Sequence, residues 1–98
     1  MTIKIKDIQL AYNVPANMIK QIGYRQLFIV DTSYLGRILV SYKTTIGVFH
    51  NSVWYLTTEK FSPTTSKQTT MFAKSTSFEV QRVSPETFDD LLMAIGKV

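Results

Sequence analysis

The chain has no cysteine and a single histidine, His50. Without thiols there is no disulfide, no thiolate nucleophile and no cysteine-based metal site, and the pattern fits a reducing compartment. His50 sits at a predicted hairpin tip with no evident orienting acid, so neither a Ser-His-acid nor a Cys-His set can be assembled around it. The acids number seven and are scattered. Asp89 and Asp90 are adjacent on a predicted helix, so they point in different directions and do not form a paired-carboxylate site. The expectation is a protein that is not an enzyme and carries no metal or cofactor. No apolar run approaches the roughly 18–20 residues of a membrane span. The opening stretch, MTIKIKDIQL, alternates charged and apolar residues and lacks a signal-peptide core. The expected location is the cytoplasm.

With 98 residues and a hydrophobic share of 45%, the chain suits one globular domain, residues 1–98, with its own core. The net charge is +4 at pH 7 and is unevenly placed. Through Ser77 there are nine basic and three acidic residues; from Phe78 onward there are two basic and four acidic. A basic body with an acidic tail suits a partner of negative surface, such as nucleic acid or an acidic protein groove. The same charge also serves simple solubility.

The strongest local pattern is GRILVSYKTTIGVFHNSVWYLTT, from Gly36 to Thr58. Ile38, Val40, Tyr42, Thr44, Ile46 and Val48 alternate with more polar residues, a period of two that predicts one long strand with a buried face. A turn at His50-Asn51 would pair Val48 with Val53, Ile46 with Tyr55 and Thr44 with Thr57. It would also set Gly47 opposite Trp54, leaving room for the indole.

Around this hairpin the chain reads in order. Thr2 to Lys6 is a short edge strand or the lead-in to a helix capped by Asp7. Ile8 to Gly23 reads as two short helices around a turn at Tyr12-Asn13-Val14. Arg25 to Asp31 is a strand, and Thr32 to Gly36 a turn. Thr64 to Lys74 is a short helix capped by Thr64, Thr65 or Ser66, and Phe78 to Val83 a further strand. Ser84 caps a last helix with Pro85 first, an apolar stripe of Phe88, Leu91, Leu92 and Ile95, and Gly96 as its stop. The expected fold is α+β: an antiparallel meander of three or four strands, short N-terminal helices, and a C-terminal amphipathic helix, packed on one face.

Two segments carry candidate binding residues. The first is Ile8 to Ile22, whose apolar spacing resembles a helix-turn-helix, with Asn17, Lys20 and Gln21 as groove-facing residues. Gln9 stands where that motif usually has alanine, and Pro15 opens the second helix. Interleaved aromatic and basic residues add Arg25 and Lys43 as nucleic-acid contacts, although core packing also accounts for the aromatics. The second is the hydroxyl-rich run after Phe61, where Thr64, Thr65, Ser66 and Lys67, with Lys60 and Lys74 flanking, could hold an anionic partner. No glycine lets a phosphate approach, so this is not a nucleotide loop. Hydroxyls at such a position also cap helices and satisfy turns.

The runs SYKTTIGVF, WYLT and FSPTTSKQTTMF together resemble a small uncharacterised domain family of bacterial phages and plasmids. The resemblance covers roughly Arg25 to Lys74 and departs at Gln68, where histidine is expected. It brings no activity with it. It implies a phage or mobile-element accessory protein in the bacterial cytoplasm. Proteins of that size and origin are often inhibitors that dock on a host machine, including anti-CRISPR proteins. The first expectation is therefore a non-catalytic inhibitor that binds a host defence nuclease or its RNA-guided complex through Lys60, Thr64, Thr65, Ser66, Lys67 and Lys74. The alternative is a small basic DNA-binding regulator using residues 8–22. Partners are thus a host protein or ribonucleoprotein, with DNA or RNA as a further class.

Overall fold

The computed structural model describes residues 3–22 and 26–96. Gly23, Tyr24 and Arg25 lie outside them, and with them the expected helix stop and one candidate contact. The chain is α+β, with a six-stranded mixed sheet and, among the described residues, three α-helices. In chain order these are α1 (Ile5–Tyr12), β1 (Ile19–Ile22), β2 (Leu27–Thr32), β3 (Gly36–Ser41), β4 (Thr44–His50), β5 (Val53–Thr57), α2 (Pro63–Ser75), β6 (Glu79–Val83) and α3 (Pro85–Gly96). The strands lie side by side in sequence order. The first five form an antiparallel meander, longer than the three or four strands expected. β6 then joins β5 in parallel, with Val53 opposite Glu79 and Thr57 opposite Val83. A parallel neighbour cannot be reached by a tight turn, so α2 makes the crossover.

That crossover corrects the one-face arrangement. α1 and α3 cover one face of the sheet, where Ile8 and Phe88 pack with Phe28, Val30, Ile38, Val40 and Val48. Leu91, Leu92 and Ile95 of α3 lie against the same cluster, as the stripe predicts. α2 covers the other face, where Phe72 packs with Leu27, Leu39, Ile46, Trp54 and Leu56. The sheet is therefore the middle layer of three.

The long strand expected from Arg37 to Phe49 is broken. Ser41 pairs with Thr44 across a two-residue turn, and Tyr42 takes a positive φ of 58° to make it. The next turn is Asn51-Ser52, not His50-Asn51, with φ of 50° and 65°. Two positive φ values in succession match the right-handed twist of a hairpin. The register moves accordingly: Val48 faces Tyr55, Phe49 faces Trp54, and Gly47 faces Leu56.

A bulge between Leu39 and Val40 completes the correction, because Leu39 pairs with Gly47 but Val40 with Thr45. Ile46 is the extra residue, and it turns to the α2 face while Val48 stays on the α1/α3 face. The expected even face therefore holds at Ile38, Val40 and Val48 but fails at Ile46 and Thr44: Thr44 pairs with Ser41 on the α2 face, and Thr45 takes its place beside Tyr12 of α1. Gly47 is needed for closeness, not for an indole. A Cβ there would lie 2.6 Å from Leu56 Cδ2 and 3.1 Å from Leu39 Cβ.

α1 is capped by its own third residue, since Lys4 N donates to Asp7 Oδ2 at 2.8 Å. At its far end Tyr12 OH donates to Lys43 O at 2.9 Å and shares a hydrogen bond of 2.9 Å with Thr45 Oγ1. That phenol ties the helix to the β3–β4 turn. Burial pushes its pKa above the usual tyrosine value; the Thr45 bond pulls it down, and nearby Tyr34 pushes it up.

Two outcomes follow from this packing. Gly47→Ala should lower unfolding free energy by about 1–3 kcal/mol, as overpacking does, measured by urea denaturation. Tyr12 holds its proton more tightly folded than unfolded, so its contribution is complete below the unfolded value of about 10 and is lost as pH rises through the higher folded value. Thermal scans above that pH should show a falling midpoint that is shallower in Tyr12→Phe.

Candidate functional site

α2 carries little apolar surface, and its inward residues Thr65, Gln68, Thr69 and Phe72 follow the i, i+3, i+4, i+7 spacing of one helix face. Three of those four are polar, so the helix is seated by hydrogen bonds. Ser41 Oγ of β3 donates to Gln68 Oε1 and shares a bond of 3.2 Å with Thr65 Oγ1. Thr69 Oγ1 donates back to Thr65 O at 2.9 Å. Gln68 is fully buried.

The cap of α2 is Ser62, not Thr64, Thr65 or Ser66: Ser62 Oγ accepts from Thr65 N at 3.1 Å, and Pro63 fills the first turn. At α3 the expected cap is in place, with Thr87 N donating to Ser84 Oγ at 3.2 Å.

The expected partner-binding residues divide by helix geometry. Thr65 is turned inward and buried, and Thr64 is half-buried. Ser66, Lys67 and Lys74 are exposed. Lys67 and Lys74, seven apart, share the outward face with half-exposed Met71. No acidic residue lies anywhere in Pro63–Ser75.

Lys60 lies in the loop after β5 and lines a cleft of about 170 Å³. Thr57 at the end of β5 with Thr58, Glu59 and Lys60 after it forms one side, Thr65, Ser66, Thr69 and Thr70 of α2 another, and Arg82 of β6 the third. This is the carboxyl end of the two parallel strands, where crevices in sheets of this kind commonly form. Arg82 was not among the sequence candidates. The available signal was its alternation with Phe78 and Val80, which places a cation on the face that α2 covers.

Among the described residues, the candidate nucleic-acid set does not lie on one helix face. Residues 16–18 form a single 3₁₀ turn, and Ile19–Ile22 is a strand at the sheet edge. The second helix of the expected helix-turn-helix is therefore absent, and residues 8–22 do not form that motif. Asn17 and Lys20 are exposed and share a second cleft with Arg37, whose Nε lies 2.8 Å from Asp31 Oδ1. Alternation along β1 turns Gln21 to the opposite face from Lys20. Lys43 sits at the β3–β4 turn, and Arg25 lies outside the described residues. His50 is the last residue of β4 and pairs with Val53. Among the described residues no three His, Asp or Glu side chains come together as a metal site, and no helix is long and apolar enough to cross a membrane.

The chain belongs to a protein family of unknown function, DUF8033, whose model matches residues 9–89. The match runs from within α1 to within α3 and includes all six strands and the cleft. No curated protein and no solved structure matches the chain.

The seating of α2 gives a measurable contrast. Ser41→Ala leaves the buried Gln68 carbonyl without that donor and should cost about 1–3 kcal/mol. Ser62→Ala removes the cap and should cost about 0.5–2 kcal/mol, whereas Ser66→Ala, on the exposed side, should change stability by less than about 0.5 kcal/mol. Urea unfolding of the three variants checks the order.

Proposed function

We propose that this protein is a non-catalytic mobile-element inhibitor that docks on a host defence nuclease or its RNA-guided complex. The observation that carries the reading is the outward face of α2. It presents Lys67 and Lys74 two turns apart, on a helix with no acid of its own. Lys60 extends the positive surface at the start of the helix. The phage and plasmid resemblance supplies the class of host target. A basic surface argues against imitation of DNA, which would be acidic, and in favour of an acidic protein face or the bound guide RNA. Met71 adds an adaptable apolar contact between the lysines.

The test is co-purification with a purified RNA-guided nuclease complex and a cleavage assay. Wild type should bind and inhibit, with affinity falling as salt rises because exposed charges are screened. Lys60→Glu/Lys67→Glu/Lys74→Glu should lose inhibition while the melting curve stays nearly unchanged, since exposed lysines cost little to replace. Full inhibition by the triple variant would move the contact surface off α2. Absence of binding by wild type would end the reading.

A further inference from the structure

The cleft beside α2 has a composition that docking does not require. At about 170 Å³ it is smaller than the roughly 300–1,000 Å³ of pockets that enclose whole drug-sized ligands. It admits a chemical group, not a complete cofactor. Its walls offer hydroxyls from Thr58 on one side and Ser66 on the other, with Lys60 and Arg82 as cations and Glu59 as the acid. Among the described residues neither Lys60 nor Arg82 enters an ion pair.

The start of α2 is not the source of the donors. Pro63 has no N–H, Thr64 does not line the cleft, Thr65 N is taken by Ser62 Oγ, and Ser66 N by Ser62 O. Thr70 Oγ1 is likewise committed as a donor, to Ser66 O at 3.1 Å. What remains are side-chain donors from three separate segments: Thr58 and Lys60, Ser66, and Arg82. The planar fork of an arginine matches two oxygens of one oxyanion, and an ammonium supplies a point charge beside it.

We infer that this cleft binds the phosphate group of a small phosphorylated molecule. Arg82 takes two of its oxygens, Lys60 neutralises a third, and the hydroxyls of Thr58 and Ser66 donate to the same group. Glu59 opposes the anion and limits affinity, leaving two cations against one acid in the walls. The site meets the docking face at Lys60, but Arg82 belongs to the cleft alone and Lys67 and Lys74 to the docking face alone.

The test is titration of isotope-labelled protein with inorganic phosphate and, separately, with a nucleoside monophosphate, both against potassium chloride at equal ionic strength. Saturable amide shifts should cluster at Thr58, Lys60, Ser66 and Arg82. Arg82→Met and Lys60→Met should each weaken binding about tenfold or more, as expected for charge-assisted hydrogen bonds. Glu59→Gln should tighten it. Equal affinity for both probes identifies the free anion as sufficient; tighter monophosphate binding identifies a phosphorylated metabolite. Lys67→Glu/Lys74→Glu should leave phosphate binding at the wild-type level, so loss of docking and loss of phosphate are separable. Absence of saturable shifts with either probe, indifference to Arg82→Met, or weaker binding in Glu59→Gln would overturn the inference.

Discussion

The hydrogen bonds from Ser41 to Thr65 and Gln68 hold the element on which the rest of the architecture depends. α2 has one large buried apolar side chain, Phe72. Burial of one such ring stabilises by about 1.5–3 kcal/mol, which is thin support for a 13-residue helix. The polar seat supplies the remainder, and it does more than stabilise. An apolar helix face can slide on an apolar sheet, but a buried amide must meet its partner or leave a polar group unsatisfied. Among the described residues no buried side-chain polar atom lacks a partner. The seat therefore fixes where α2 lies, and α2 in turn delivers β6 to the edge beside β5.

From that placement come both the second hydrophobic layer and the cleft. A meander of five antiparallel strands would leave the α2 face of Leu39, Ile46, Trp54 and Leu56 open to water. The crossover closes it. The aromatic chain from Phe72 through Trp54 and Phe49 to Phe78, with ring centroids 4.9–5.2 Å apart, runs from beneath the helix to the loop that follows it. Tilted and edge-on contacts of this kind add modestly beyond the area they bury. They also fix the end of α2 opposite to its Ser41 seat.

Elements with a strong local signal were legible in the sequence. α3 is in place with Ser84 as its cap and Phe88 inward, and the α2 span is right to within a residue at each end. What the sequence concealed was non-local or unsignalled. Nothing in Tyr42-Lys43 reads as a turn, since tyrosine at positive φ carries no glycine, asparagine or aspartate cue. The bulge at Ile46 leaves the period of two intact on paper while reversing the faces of Thr44, Thr45 and Ile46 in space. Ile19 and Ile22 fit helical spacing as well as a strand, and the pairing with Val30 and Leu27 decides between them. At the site, the exposed lysines of α2 could be read from periodicity. The inward turn of Thr65 could not, because it depends on Ser41, a residue of another strand.

The three-layer arrangement also separates charge that the linear sequence only hints at. The acids of the C-terminal part are exposed on α3, as Glu86, Asp89 and Asp90, while α2 carries lysine alone. These helices lie on opposite faces of the sheet, so the molecule has a basic side and an acidic side. Net charge would orient nothing, but opposed faces do: a negatively charged surface approaching from afar is drawn to the α2 side and repelled from α3. Orientation set before contact matters most for a small protein with few residues to spare for specificity. Arg82 belongs to this division although it follows the basic part of the chain. The parallel register carries it beside Leu56, on the face that α2 covers, and so returns a late cation to the side where the earlier ones stand.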